Sequence, residues 1–242
     1  MVVEKLQELL HDKRVALVGP APYLTKHKIG FYINNFDVVC RINEIHVAKE
    51  DEVSCGSKTD VVFHNLNSAE GISDFEKDMK TYPDVAANLR MVVCSQISTD
   101  DAGVNIVDNF KNFKEVHNYE VPFVHVGDSV FTYLQSRLGG ARPTTGMISI
   151  STIIDSQPKE LFIAGVTFYE EGDHSSKAYR KSLSNPELRT RHDFTGGNSF
   201  HSQAPAKEYF KELLRKHTDM IQIDSHLSNI LSVERFNTYQ LT

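Results

Sequence analysis

The chain has no tryptophan, only three cysteines, and no apolar run approaching the ~20 residues that span a bilayer. Each shortage removes a class of reading. Without a long apolar run, no membrane span is expected. The first residues, Met1 to Asp12, do not read as a signal peptide either. Val2, Val3, Leu6, Leu9 and Leu10 fall on one helical face with Glu4, Lys5, Gln7 and Glu8 between them, which predicts a short amphipathic helix of the domain. Cys40, Cys55 and Cys94 have no metal-binding spacing and cannot all pair. Cys40 and Cys94 lie in apolar, strand-like runs, so buried thiols in a reducing cytosol are the expectation. A surplus of positive charge is also missing. With 26 Lys and Arg against 32 Asp and Glu, the formal net charge is -6, and no global field draws nucleic acid or an anionic membrane.

What is present fits one globular domain over residues 1–242: 40% of the residues are hydrophobic, enough for a full core. Five short apolar runs read as buried parallel strands: Val15 to Val18, Val38 to Ile42, Val61 to Phe63, Met91 to Cys94 and Leu161 to Val166. Helical patterns are expected over Thr25 to Asn34, Asp74 to Lys80 and Asp128 to Leu138. The strongest is Thr145 to Ile154, with Met147, Ile148, Ile150, Ile153 and Ile154 on one broad face. A later helix opens at Pro205 with Tyr209, Phe210, Leu213 and Leu214 as its apolar side. The tail adds a strand at Met220 to Ile223 and a helix over Ser225 to Leu231. Strands alternating with helices predict a Rossmann-like, doubly wound, mostly parallel α/β sheet. Residues 170–199 are polar, carry Gly172, Pro186, Gly196 and Gly197, and are expected to form a flexible lid or acceptor loop after the fifth strand.

Ligands of doubly wound sheets bind beyond the carboxyl ends of the strands. The candidate ligand residues are therefore those that end the strands: Gly19, Pro20 and Ala21 after the first, Arg41 and Asn43 after the second, Asn65 after the third and Thr167 after the fifth. Gly19-Pro20-Ala21-Pro22-Tyr23 is a tight turn where backbone can approach an anion, with a helix start behind it. The two prolines remove N–H donors and exclude a dinucleotide fingerprint or a P-loop. Thr144, Thr145 and Gly146 open the strongest helix, where hydroxyls, N–H groups and the positive helix end suit a phosphate. Thr144 also fits a plain N-cap. His201 precedes a helix, whose N-terminus disfavours imidazolium and keeps the ring able to accept a proton.

Taken in order, these segments resemble the sialyltransferases, glycosyltransferase family 29. The long motif of that family is similar to Val15–Ala21, then Asn35–Asn43, then Gly56–Asp60; its short motif is similar to Arg142–Met147, then Leu161–Gly165; its last histidine motif is similar to Phe200-His201 with Glu208 beyond. The resemblance implies a GT-A-variant fold, a CMP-sugar donor, inversion at the anomeric carbon, and no divalent metal or other cofactor. It implies that the turn near Ala21 and Asn43 holds the nucleotide or its phosphate, that Thr144, Thr145 and Gly146 line both, and that His201 is the base. His192 matches the earlier histidine motif and would bond the leaving phosphate. The chain departs from secreted members, which begin with a membrane anchor and join the two motifs by a disulfide: no anchor is expected, and no cysteine stands in the short-motif region. It also has Pro20-Ala21-Pro22 where the family places an asparagine and small residues.

No Asp-x-Asp cluster stands at a strand end to hold a divalent ion, which agrees with a monophosphate leaving group met by hydroxyls, N–H groups and imidazole. Two acceptors fit: a glycan, or a hydroxymethylated base of viral DNA, with Lys177, Arg180, Lys181, Arg189 and Arg191 on the lid reaching the acceptor. A third reading is a nucleotide-binding module without catalysis.

Overall fold

The computed structural model of the chain describes residues 2–66, 69–99, 105–117, 119–168, 201–233 and 236–241. The expected lid, 170–199, lies outside them, with His192, Lys177, Arg180, Lys181, Arg189 and Arg191.

Apolar runs too short for helices and lacking polar alternation become strands buried on both faces. The strands are β1 (Arg14–Val18), β2 (Val38–Ile42), β3 (Val61–His64), β4 (Met91–Cys94), β5 (Phe123–His125), β6 (Glu160–Ala164), β7 (Ile221–Asp224) and β8 (Thr238–Tyr239). They form one sheet in the order β5-β4-β3-β2-β1-β6-β7-β8. Every pairing is parallel, so the sheet goes beyond the mostly parallel expectation. The registers are continuous at the centre: Val15 to Val18 face Val38 to Arg41 on one side and Leu161 to Ala164 on the other.

The helices are α1 (Val2–Leu10), α2 (Gly30–Asn34), α3 (Glu52–Cys55), α4 (Ala69–Thr81), α5 (Pro83–Asn88), α6 (Ile106–His117), α7 (Asp128–Arg137), α8 (Thr145–Asp155), α9 (Gln203–Lys216) and α10 (Ser225–Leu231). They cover both faces. On one face Val15, Leu17 and Ile163 pack with Ile148 and Ile150 of α8 and Phe210 of α9. On the other, Ala16, Val18 and Ala164 pack with Ile33 of α2 and Phe36, while Val62 and Val92 pack with Phe75 of α4 and Phe110 of α6. Residues one apart on a strand thus enter different cores, the period-two rule of a pleated sheet.

Several differences from the sequence reading have local causes. The helix expected over Thr25 to Asn34 is two pieces, a 3₁₀ turn at Pro22–Lys26 and α2. Gly30 starts α2 where a Cβ would lie 2.1 Å from the Glu52 carbonyl oxygen, so α2 meets α3 backbone to backbone. Asp51 ends a 3₁₀ turn at Lys49–Asp51, and Glu52 opens the short α3. Helix α9 begins at Gln203, with Pro205 in its first turn, where the missing N–H has no intrahelical role. β5 has three residues and β8 two, too short to carry an apolar pattern. α6 was not expected, although Ile106, Phe110 and Phe113 recur at spacings of a helical face, and all three are buried.

Strand order fixes where a ligand can sit. From β1 the chain winds one way through β2 to β5, then returns to place β6 on the other side of β1. At that reversal the connections leave β1 and β6 in opposite directions and open a crevice at their carboxyl ends.

Candidate active site

A cleft lies at this crevice, lined by residues from the ends of β1, β2 and β6 and the starts of α8 and α9. Five separate segments line it. Pro20 and Ala21 follow β1; Ile42 and Asn43 end β2; Thr144 to Met147 open α8; and Gly165 to Phe168 follow β6. His201, Ser202, Gln203 and Ala206 close it from the start of α9. Of the residues expected from sequence, the fold brings together Pro20, Ala21, Asn43, Thr144, Thr145, Gly146, Thr167 and His201.

Three expected residues are placed elsewhere. Gly19 does not line the cleft. A Cβ there would lie 2.2 Å from the Gly165 oxygen, and one on Gly165 would lie 2.4 Å from the Gly19 oxygen. The Gly19 N–H donates to Ala164 O at 2.8 Å and the Ala21 N–H to Gly165 O at 3.1 Å. The glycine lets β1 and β6 run backbone on backbone past their ends.

Arg41 points away from the cleft and is 4% exposed. Its Nη2 donates to the carbonyls of Cys55, Gly56 and Lys58 at 2.9–3.0 Å, and its Nε donates to Thr59 Oγ1 at 2.9 Å. Burial pulls this guanidinium down to about 10, and the carbonyls around it keep it hydrogen-bonded. Asn65 is half-buried outside the lining, and its backbone N–H donates to Asn43 Oδ1 at 3.2 Å.

Asn43 has φ 61, a left-handed conformation that asparagine adopts more readily than most residues. Its own N–H donates to Phe63 O at 2.7 Å. With Oδ1 taken by Asn65, its carboxamide NH₂ remains a donor on the cleft wall.

Thr144 is the N-cap of α8, and Oγ1 accepts from the Met147 N–H at 3.1 Å. The first-turn N–H groups of Thr145 and Gly146 have no intrahelical acceptors, and the helix places its positive end on the cleft. Thr145 Oγ1 lies 3.3 Å from Ser95 Oγ, which ties α8 to the end of β4. A Cβ at Gly146 would meet only Ile42 Cδ1 at 3.6 Å and Thr144 Oγ1 at 3.7 Å.

His201 Nδ1 lies 2.8 Å from the Arg142 carbonyl oxygen. A carbonyl only accepts, so Nδ1 carries the proton, and in the neutral ring the lone pair belongs to Nε2. Arg142 is itself held: Nη2 donates to Gln96 Oε1 at 3.2 Å, and the guanidinium lies 5.4 Å from the centre of the Phe131 ring. The loop before α8 thus orients the histidine before α9.

Sequence reasoning missed the anchor beneath the cleft. Tyr23 Oη donates to Asp224 Oδ2 at 2.5 Å and accepts from the Gly165 N–H at 2.8 Å. Asp224 is fully buried and also caps α10 by accepting from Leu227 N–H at 2.8 Å. Burial raises its carboxyl above the ordinary value. Tyr23 ends the turn expected to bind an anion, but its phenol pins that turn to β6 and β7. No local signal pairs it with a residue in the tail.

Over residues 4–155 the sequence matches the model of glycosyltransferase family 29 (sialyltransferase). The chain belongs to this family. The match ends at Asp155, before β6 and His201, but likeness in structure runs further. A sialyltransferase CstII from Campylobacter jejuni, solved with the substrate analogue CMP-3FNeuAc, is 17% identical with a TM-score of 0.57, covering 87% of this chain and 81% of its own. CstII with cytidine-5'-monophosphate is 18% identical with a TM-score of 0.58, covering 91% and 84%. A mammalian sialyltransferase solved with Gal-beta-1-3GalNAc-ortho-nitrophenol is 15% identical with a TM-score of 0.52, covering 90% and 71%. No protein of curated function matches in sequence.

The present member is therefore a glycosyltransferase on the parallel α/β fold of the sialyltransferase structures. Among its described residues no helix is long and apolar enough to cross a membrane, and no cluster of three or more His, Cys, Asp or Glu could hold a metal ion.

Proposed function

We propose that this sialyltransferase-family chain moves a sugar from a CMP-sugar donor to a hydroxyl of a glycan, inverting the anomeric carbon without a divalent metal. The observation that carries the reading is the His201 ring, locked by the Arg142 carbonyl with its lone pair on Nε2, in the same cleft as the start of α8.

In the reaction, His201 Nε2 takes the proton of the acceptor hydroxyl as its oxygen bonds to the anomeric carbon. The bond from that carbon to the phosphate oxygen breaks, and its electron pair leaves with CMP. The N–H groups of Thr145 and Gly146 and the positive end of α8 meet the charge that grows on the phosphate. The Asn43 carboxamide and the backbone at Pro20 and Ala21 hold the nucleotide, with Thr167 on the opposite wall. His192 adds a hydrogen bond to the leaving phosphate. None of the described lining residues is Asp, Glu, Lys or Arg. Hydroxyls, N–H groups and an imidazole suit a monophosphate leaving group that departs without a divalent metal.

The test has two parts. Thermal shift with CMP, UMP, UDP, GDP and ADP is expected to show the largest stabilisation with CMP; a preference for UDP overturns the donor. Turnover of a CMP-sugar is expected to persist in excess chelator; its complete loss there overturns metal independence.

A further inference from the structure

The end of β4 does not line the cleft, yet hydrogen bonds tie it to the groups that do. Ser95 and Gln96 follow the strand, and both are buried. Ser95 Oγ lies 3.3 Å from Thr145 Oγ1, and Gln96 Oε1 accepts from Arg142 Nη2 at 3.2 Å. The segment from Arg142 to Thr145 is therefore held at both ends by adjacent residues of one strand end.

Gln96 is itself a fixed point. Its backbone carbonyl accepts from His125 Nε2 at 2.7 Å, and His125 Nδ1 accepts from the Gly127 N–H at 3.2 Å. Nδ1 cannot accept and carry the proton at once, so in the neutral ring the proton is on Nε2. β5 thus pins the backbone from which the Gln96 side chain reaches. The carboxamide is a neutral acceptor and holds the guanidinium by direction rather than by charge. The Phe131 ring gives the same guanidinium a second contact, at 5.4 Å.

An anchor at the tip of Arg142 is felt at its backbone. Pro143 follows and disfavours the helical region for Arg142, so the Arg142 carbonyl has little rotational freedom of its own. Its direction follows from the side-chain anchor on one side and the Thr144 cap of α8 on the other. That carbonyl accepts from His201 Nδ1 at 2.8 Å.

We propose that Gln96 is a positioning residue for His201: by anchoring Arg142, it aims the carbonyl that keeps the proton of the ring on Nδ1 and the lone pair on Nε2. Its bearing on turnover rests on the reading of His201 as the base. Without the Gln96 amide the guanidinium is released, the carbonyl slackens and the ring takes either tautomer. Turnover then falls while the donor is still held at Asn43 and the start of α8.

The test is nitrogen NMR of the isotope-labelled full chain at about pH 8, where an ordinary imidazole is neutral. The His201 ring signals are identified by their loss in His201→Ala. The native chain is expected to show a protonated Nδ1 and a bare Nε2. Gln96→Leu, close in volume but without an acceptor, should move both nitrogens towards an average of the tautomers. Gln96→Glu keeps an oxygen for Arg142 and should retain the native pattern. Arg142→Met breaks the same bond from a half-buried position and should match Gln96→Leu, so the test stands even where the leucine variant does not fold. CMP release from CMP-sialic acid should fall about tenfold in kcat in Gln96→Leu, with KM changed by less than about twofold. A native tautomer pattern in Gln96→Leu and Arg142→Met would overturn the proposal, and so would a fall in thermal stability with the ring signals unchanged. Mixed tautomers with kcat unchanged would uphold the hold on the ring and overturn His201 as the base.

Discussion

On the β1–β6 side of the cleft, backbone packs on backbone. A Cβ at Gly19 would lie 2.2 Å from the Gly165 oxygen, and Tyr23, Gly165 and Asp224 are joined by hydrogen bonds of 2.5–3.3 Å. On the α8 side, a Cβ at Gly146 would meet only ordinary contacts at 3.6 Å and 3.7 Å. Both glycines stand within a motif segment, Gly19 in Val15–Ala21 and Gly146 in Arg142–Met147, and look alike in sequence. One is a joint of the frame, where nothing larger fits. The other borders open space, where something else is meant to fit. A cleft of this kind needs a rigid side that keeps its shape and a side with unspent donors that meets the ligand.

The sharpest way to break this contrast is at the frame. Gly19→Ala forces backbone apart at a site with no flexible neighbour and is expected to cost at least about 3 kcal/mol in urea unfolding. Activity lost with stability intact would instead make Gly19 a ligand residue. At the chemical side, His201→Ala is expected to lower turnover about 10²- to 10⁴-fold with an unchanged unfolding midpoint. Unchanged turnover would remove His201 as the base. Activity of the native protein should also fall on the acid side as Nε2 takes a proton.

The frame also carries a pH dependence of its own. Burial lowers His64 to about 4, and its Nδ1 accepts from the Leu66 N–H at 3.1 Å. The unfolded chain binds a proton here below the ordinary value near 6.5, whereas the folded chain resists until near 4, so stability is full above that ordinary value and falls as pH drops towards 4. Unfolding at about pH 5 against about pH 7 should show a loss on the order of 2 kcal/mol. His64→Asn, whose Oδ1 can take the Leu66 N–H, should flatten that slope.

Smaller effects separate the roles within the α8 wall. Thr144→Ala removes the N-cap bond to Met147 and should cost about 1 kcal/mol in thermal unfolding. Gly146→Ala should leave stability unchanged or raise it by up to about 1 kcal/mol, since alanine is the better helix former. The same change should weaken CMP in a titration, because the new methyl group enters the cleft.

Much of this fold was legible from local pattern. Val38–Ile42 and Met91–Cys94 are strands with the bounds their apolar runs suggested, and the Thr144 cap and the apolar face of α8 are written in adjacent residues. β5 and β8 were not legible, because two or three residues carry no period and become strands only by pairing with a neighbour already in place. Within the cleft, sequence order named eight of the lining positions, while Gly19, Arg41 and Asn65 stand outside the lining. Each is polar or small at a strand end, and the local chain says nothing about which way it is answered.

The sequence alone determined the strand-forming runs, the helix starts and the set of groups able to do the chemistry, because these depend on neighbours a few residues away. Only the tertiary structure decided how they were used. Once β6 returned beside β1, Gly19 met Gly165, Tyr23 met Asp224, and His201 was brought against the Arg142 carbonyl. Arg41 was turned inward onto the carbonyls of Cys55, Gly56 and Lys58, because a buried guanidinium must find acceptors and the loop after α3 supplied them.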